Sequence, residues 1–504
     1  MESITMPVLP RSSGVLLHPS SLPGPFGIGD LGPEAFRWVE TLAAMKQHWW
    51  QILPLGPTGY GDSPYQSYSA FAGNINLLSP ELLHRDGLLP ADVLNGQSFP
   101  SDRVDYPKVS LLKTGLVRSA WDAYSTQQNP LRLEFERYCE TEQAWLHDFA
   151  LFMAIRAALG QAPLHDWPTD VRKREPVAIA AIEKQVHKEV LIVKFGQFLF
   201  DRQWKALKSF AKSKNVLLIG DAPIFVALDS ADVWANPEQF LLDESGHPTV
   251  VAGVPPDYFS EDGQHWGNPL YDWAAMDRTS YAWWVARLRR QFTQVDLIRL
   301  DHFRGFAAAW HIPPNEPTAK IGKWIDGPRA KLFHAFKAQL GDLSIIAEDL
   351  GLITPDVVEL REQFHLPGMR VLQFMLGGPN NLYWPHNYEA NTVVYTGTHD
   401  NDTTVGWFSS LNDTDRRKLA QYVGHELHEP HIDLLRLAWA SVAVLAISPL
   451  QDLLGLDGSA RMNVPGLAEG NWSWRFEPRH FPDGLVERLA GMTQLYARIP
   501  QTEA

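Results

Sequence analysis

Eight short apolar runs recur along the chain, separated by helical patterns, and half of them stop abruptly in charged side chains. GVLLHP (Gly14 to Pro19), WWQILPLGP (Trp49 to Pro57), NVLLIGDAPIFV (Asn215 to Val226) and VDLIRLDHFRGF (Val295 to Phe306) form the first half of the series. LSIIAEDLG (Leu343 to Gly351), GMRVLQF (Gly368 to Phe374), NTVVYTGTHDND (Asn391 to Asp402) and the run around Ala438 to Leu450 complete it. Continuous apolar runs of this length fit strands buried on both faces. Four of them end in GD, LDHFR, AEDLG and THDND. Eight parallel strands with polar C-terminal ends predict a (β/α)8 barrel of the TIM type, with its site on the C-terminal face. The same alternation also fits a doubly wound open sheet.

Two long excursions interrupt the rhythm, at about 58–212 and 227–294. The first is rich in helical patterns and ends in AIAAIEKQVHKEVLIVKFGQFLFDRQWKALKSFAK, which reads as a helix with one break. Both excursions are expected as inserted, mostly helical subdomains of a single catalytic barrel spanning 1–504. Gly27-Ile28-Gly29-Asp30-Leu31-Gly32 matches the dinucleotide fingerprint GxGxxG. A turn-rich SSLPGPF separates it from the preceding strand, and no acidic residue ends the next strand to hold a ribose, so the match is rejected.

Composition narrows the class. With 45% hydrophobic and 20% charged residues, the 504-residue chain can bury a large core. Its 44 Lys and Arg against 58 Asp and Glu form no basic cluster, which argues against nucleic acid or an anionic membrane as partner. The single cysteine, Cys139, rules out a disulfide framework and a Cys-based metal site. The longest apolar run, Leu437 to Leu450, is too short to span a bilayer. The N-terminus lacks the basic and apolar regions of a signal peptide. A cytoplasmic location is expected.

The 19 Trp and 14 Tyr concentrate partly in Gly- and Pro-rich segments: GPTGYGDSPYQSYS, GQHWGNPLYDW, NLYWPHNY and EGNWSW. Aromatic side chains on loops present flat apolar faces with a polar tip, which suits stacking on sugar rings or other amphipathic ligands.

Three carboxylates from three strand ends would meet over one barrel mouth: Asp301, Glu348 and Asp400. Arg299 and Asp301 lie on the same face of their strand, and the cation favours the ionised carboxylate. Asp301 is thus available as a nucleophile. Glu348 follows the apolar SIIA, where burial favours the protonated form that a general acid requires. Such a pair is what retaining glycoside chemistry uses. Asp400, beside His399, would hold sugar hydroxyls and stabilise the oxocarbenium-like state. A divalent metal among these acids is an alternative, but neither H-E-x-x-H nor H-x-H spacing occurs. An enolase-like magnesium site leaves the loop aromatics unexplained. A non-catalytic glucan-binding protein would not need three acids at strand ends.

From about Gly14 to Trp474 the chain resembles the amylomaltases, the 4-α-glucanotransferases also called disproportionating enzymes, whose barrel is α-amylase-like. The motifs are LLHPSSLPGPFGIGDLG, LPLGPTGYGDSPYQSYSAFAGN, IGDAPIFVA, VVAGVPPDYFS, GQHWGNPLY, IRLDHFRGF, AEDLG, LPGMRVLQF, YTGTHDNDTT and ARMNVPG. The resemblance implies Asp301 as nucleophile, Glu348 as acid/base and Asp400 as transition-state stabiliser. It implies that Tyr65 stacks on the sugar at the cleavage point, and that Ser63, Asp221, Trp266, Arg299 and His399 contact the donor chain. It also implies Tyr258 and Phe259 on a loop over the cleft, with Gly253 and Gly263 as flexible points, and Tyr60 with Tyr106 in a secondary glucan-holding patch. The substrates it implies are α-1,4-glucans and maltooligosaccharides; no metal or cofactor is implied. A monomer or weak homo-oligomer is expected. The competing activity is α-amylase-type hydrolysis, since both reactions share their first half. One departure stands out: the family often carries an acidic residue shortly after LQF, where this chain has MLGGPNN (Met375 to Asn381).

Overall fold

The computed structural model describes residues 9–95, 98–126, 129–256, 260–467 and 469–500. Twelve strands occur among them. In chain order they are β1 (Ser12–Leu16), β2 (Trp49–Gln51), β3 (Leu217–Ala222), β4 (Val251–Val254), β5 (Gln264–Pro269), β6 (Leu297–Leu300), β7 (Ala308–Ile312), β8 (Lys323–Asp326), β9 (Ile345–Ala347), β10 (Gly368–Val371), β11 (Thr392–Tyr395) and β12 (Leu445–Pro449). Eight of these pair in parallel in the order β10-β11-β12-β1-β2-β3-β6-β9. The Ala347 N–H donates to the Pro367 carbonyl at 2.9 Å and links β9 to the start of β10, so the sheet curls into a nearly closed barrel. All eight strands are those read from the sequence, and the doubly wound alternative falls.

Local sequence explains the tightness of the barrel. Strands such as LIRL, IIA and TVVY are buried on both faces and rich in branched residues that pack on a pleated surface. Gly14 pairs with Trp49, and a Cβ there would stand 2.5 Å from Trp49 Cβ, so only glycine allows this approach of β1 to β2. Inside the barrel, the Tyr395 hydroxyl donates to Gln51 Oε1 at 2.9 Å.

Between β2 and β3 the chain is helical, and the long pattern read as a helix with one break is a single helix, Pro176–Ser213. Gly196 does not break it, because a Cβ there would already be 3.2 Å from Val117 Cγ1; the glycine lets the helix Tyr106–Thr126 pack closely. A second core, built around Phe152, Trp167 and Trp234, lies among these helices. Cys139 is free and half-buried.

A second sheet is a finding the strand–helix rhythm does not announce. β5, β4, β7 and β8 form a four-stranded antiparallel sheet. β7 follows Asp301 after only the short helix Arg304–Ala307, so this sheet grows from the C-terminal end of β6. Among the described residues no helix is long and apolar enough to cross a membrane.

The last helix, Leu485–Leu495, leads to Arg498, whose guanidinium is buried beneath the barrel. It donates to the carbonyls of Trp439 (3.0 Å), Ser12 (3.2 Å), Ala443 (2.7 Å), Ala438 (3.0 Å) and Ser441 (3.2 Å), joining the chain end to β1 and to the loop before β12. Arg11 also donates to the Trp439, Ser441 and Ala443 carbonyls and Ser441 Oγ to that of Ala438, so removing the Arg498 fork takes one of two donors from each, at a cost of about 2–3 kcal/mol. Arg498→Met should therefore lower the melting temperature by roughly 2–3 °C in a chain of this size. Arg498→Lys should recover little of that loss, because an ammonium cannot reproduce the planar fork. Arg436→Met, on an exposed side chain of the same region, should change melting by less than about 1 °C. A loss at 498 no larger than at 436 would remove the clamp from the account.

Candidate active site

β3 and β6 are neighbours, with Asp221 opposite Arg299. This register puts a carboxylate and a guanidinium side by side inside the barrel. Arg299 Nη1 lies 2.7 Å from Asp221 Oδ2, and its Nη2 lies 2.8 Å from Asp301 Oδ1. Burial disfavours a cation here, but Asp221 and Asp301 outweigh it and raise the guanidinium well above its ordinary range. Asp301 is held by the guanidinium on one side and remains about a quarter exposed, at 27%, towards the barrel mouth.

Glu348 stands at the end of β9, the next strand, where Leu300 pairs with Ala347. Asp301 and Glu348 therefore follow paired residues at the same level of the barrel. Glu348 is buried, and burial first, then the nearby Asp301 charge, pushes its carboxyl up to about 8. Two backbone donors reach it: His302 N–H to Oε2 at 2.6 Å and Leu350 N–H to Oε1 at 3.0 Å. At neutral pH the site thus holds a protonated Glu348 beside an arginine-bound Asp301.

Asp400 comes from the segment after β11. Its Oδ2 lies 3.4 Å from His399 Nε2, its Oδ1 accepts from Asn463 Nδ2 at 2.6 Å, and Arg461 Nη2 donates to its main-chain carbonyl at 2.5 Å. Burial opposes charge, but His399, Asn463 and Arg299 outweigh it and bring the Asp400 carboxyl down to about 2. Its side chain is 46% exposed, so solvent also shares in holding the anion. His399 moves up: burial lowers it, while Asp400 raises it more.

Tyr65 bridges two parts of this site. Its hydroxyl donates to Asp221 Oδ2 at 2.7 Å, and its ring stacks on His399 at 5.2 Å and 18°. One ring face is thus taken by His399. Trp472 completes the aromatic group, 5.6 Å from Tyr65 and 5.9 Å from His399. Ser63 Oγ accepts the Tyr65 N–H at 3.2 Å and fixes the turn that presents the ring. Trp266 is carried in on β5, and its ring meets His302 edge-on at 4.8 Å and 87°.

Several expectations change. Tyr106 is buried, 7% exposed, with its hydroxyl donating to the Trp472 carbonyl at 2.9 Å. It offers no open ring face, so a surface patch shared with Tyr60 does not form; Tyr60 alone is open, at 77%. Gly253 and Gly263 sit where the backbone packs closely, which accounts for glycine at both positions. Gly253 is in β4, and a Cβ on it would stand 2.2 Å from the Gln264 carbonyl oxygen. Gly263 has φ +67° with Val254 and Ala319 packed against it. Tyr258 and Phe259 lie outside the described residues.

Three contributors were not singled out from the sequence. Asn463 belongs to the ARMNVPG motif and Trp472 to the aromatic-rich EGNWSW, so both had a signal. His302 had none beyond its place next to Asp301. Among the described residues no group of three or more His, Cys, Asp or Glu is arranged to hold a metal ion.

A family model described as 4-alpha-glucanotransferase matches residues 17–480. The chain is 48% identical over 495 residues to the 4-alpha-glucanotransferase of Synechocystis sp., covering 97% of this chain and 98% of that one. It is 47% identical over 501 residues to the 4-alpha-glucanotransferase of Thermus thermophilus, covering 97% and 100%. Among solved structures, the amylomaltase from Streptococcus agalactiae in complex with acarbose superposes with a TM-score of 0.94 at 37% identity, covering 97% of this chain and 99% of that one. The chain belongs to the 4-alpha-glucanotransferase family.

Proposed function

We propose that this protein transfers α-1,4-linked glucan segments from a donor to the 4-hydroxyl of an acceptor glucan or glucose by a retaining double displacement. One observation carries this reading: a carboxyl pushed up to about 8 at Glu348 next to an arginine-held carboxylate at Asp301, on adjacent strand ends. Two carboxyl groups set apart in this way suit retaining glycoside chemistry, with one attacking and the other protonating.

In the first step the Asp301 carboxylate attacks the anomeric carbon while Glu348 gives its proton to the glycosidic oxygen. The bond to the leaving sugar breaks and a glucosyl ester forms on Asp301. In the second step Glu348, now ionised, takes the proton of the acceptor 4-hydroxyl as that oxygen displaces Asp301. Asp400, held anionic at the mouth, binds sugar hydroxyls and stabilises the oxocarbenium-like charge. Arg299 orients Asp301 and, with Asp221, Ser63, Tyr65, Trp266 and His399, contacts the donor. The loop carrying Tyr258 and Phe259 hinders water, which would turn transfer into hydrolysis. The reading uses one catalytic barrel over 1–504 with insertions at 58–212 and 227–294. A cytoplasmic location is part of it, and a lone Cys139 suits a reducing compartment.

Maltotriose as sole substrate should yield glucose together with oligosaccharides longer than three units, read by chromatography. Only shorter sugars would make the protein a hydrolase. The roles have their own test by intact mass with an α-maltotriosyl fluoride donor. Glu348→Gln should accumulate a maltotriosyl adduct, because fluoride leaves without a proton, whereas Asp301→Asn should accumulate none. The opposite pattern would exchange the two roles.

The raised Glu348 carboxyl also ties stability to pH. Folded Glu348 keeps its proton up to about 8, while in the unfolded chain it loses it near the ordinary glutamate value of about 4.3. Between these limits the folded state binds more protons, so this group's contribution falls as pH rises and is constant above about 8. Glu348→Gln cannot titrate. Its melting temperature relative to the parent should climb by a few degrees from pH 5 to pH 8 and then level off. A difference independent of pH would remove the buried acid from the account.

A further inference from the structure

His302 adopts the left-handed region at φ +49°, where a non-glycine residue is uncommon. It directly follows the proposed nucleophile. In this conformation its N–H turns out of the strand direction and reaches Glu348 Oε2 at 2.6 Å. The imidazole packs edge-on against Trp266 at 4.8 Å and tilts towards Phe225 at 6.4 Å. Its Nε2 is buried and has no hydrogen-bond partner. Nε2 thus makes no hydrogen bond that would hold the conformation, and the conformation accompanies an N–H aimed at Glu348.

We propose that His302 is a positioning residue for Glu348: its left-handed backbone aims an N–H at Oε2 and stabilises the carboxylate that forms when the proton passes to the glycosidic oxygen. This rests on the acid/base reading of Glu348. The donor is fixed before the reaction and gains most as negative charge develops, which is how preorganised dipoles favour a transition state. Leu350 N–H serves the other oxygen, so each oxygen of the nascent carboxylate has one backbone donor. The charged and titratable groups facing Glu348 are Asp301 and Arg299 from β6 and Tyr395 from β11. Asp301 resists the new charge, while Arg299 and the two N–H groups favour it. The His302 ring stays neutral, lowered by burial to about 4, and adds no charge.

A substitution series separates this role from plain packing. Glycine enters the left-handed region freely and asparagine tolerates it, whereas a β-branched residue there is an outlier. His302→Gly and His302→Asn keep the N–H aimed; His302→Val pulls it away, although Val fills more of the ring's space than Gly. Two donors supply the readout: maltotriose, whose leaving sugar needs a proton, and α-maltotriosyl fluoride, whose fluoride does not. For His302→Val, kcat with maltotriose should fall about 10–100-fold while the burst of fluoride release falls less than about threefold, and the alkaline limb of kcat/KM should move to higher pH. For His302→Gly and His302→Asn both donors should lose activity by a similar factor, mostly in KM through the lost contact with Trp266, with the alkaline limb in place. His302→Ala should fall between Gly and Val and takes the place of Val if that variant does not fold. A loss that follows side-chain size, with Gly worst, or one that is equal for both donors in Val and Ala, would overturn the proposal. Glu348→Gln run beside the series isolates the underlying reading. If it slows fluoride release as much as maltotriose turnover, Glu348 is not the acid; if it spares fluoride release while the His302 series fails, only the positioning role is lost.

Discussion

One guanidinium holds the centre of this protein together. Arg299 bonds Asp221 at 2.7 Å on one side and Asp301 at 2.8 Å on the other, and its own side chain is only 5% exposed. A buried cation is costly unless its partners are close and well oriented, and leaving either carboxylate unmatched would cost several kcal/mol. The pairing of β3 with β6 is therefore constrained chemically as well as by backbone hydrogen bonds. Sliding β6 by one residue would turn Arg299 and Asp301 to the other face and bring Ile298 and Leu300 into the mouth. The Tyr65 hydroxyl on Asp221 extends the same network to the segment after β2. Two strands and the segment that carries Tyr65 are thus locked to one ion-pair geometry, and the orientation of Asp301 follows from it.

Against that fixed charge, Glu348 is set apart by what surrounds it. IIA brings it to the barrel mouth through a wholly buried strand, and Asp301 stands at the neighbouring strand end. Burial and the like charge both favour the proton; two backbone donors and Arg299 favour its release. These opposing influences leave the carboxyl near 8 rather than permanently neutral, the balance that the proposed alternation between acid and base calls for. Asp400 carries the opposite bias, with His399 and Asn463 as partners and half its side chain in solvent.

The eight barrel strands were legible because strands buried on both faces are short, nearly continuous apolar runs, and parallel ones end together at a polar rim. The charged ends LDHFR, AEDLG and THDND named their own site residues for the same reason. The second sheet was not legible. QHWGNP contains Gly267 and Pro269 and is exposed over its first two residues, and KWID is almost wholly open to solvent, so neither carries an apolar run or a clean alternation. Those strands are held by antiparallel pairing with β4 and β7, which is a tertiary fact. Tyr106 misled for a similar reason: a tyrosine at the start of an amphipathic helix points inwards or outwards according to what packs on it. Here the Trp472 carbonyl, more than 350 residues away in sequence, claims its hydroxyl.

The second sheet also ties the end of β6 to a ring on the other side of Asp301. The chain leaves Asp301, turns through His302 and enters β7 after one short helix, so no flexible linker separates the nucleophile from the sheet. β7 pairs with β4, and β4 pairs with β5, which carries Trp266 back to the His302 ring. The path from Asp301 to Trp266 is thus a closed circuit of backbone hydrogen bonds and one aromatic contact. Gly253 and Gly263 allow the close approach where β4 and β5 meet, since a Cβ on them would stand 2.2 Å and 2.4 Å from a carbonyl oxygen. In a site where misplacement by about 1 Å can cost about a hundredfold in rate, a rigid path of this kind sets the Trp266 ring and the Asp301 carboxylate at one distance. Trp266 and Asp301 are then parts of the same structural unit, and the antiparallel sheet, which contributes none of the three carboxylates, is what makes them so.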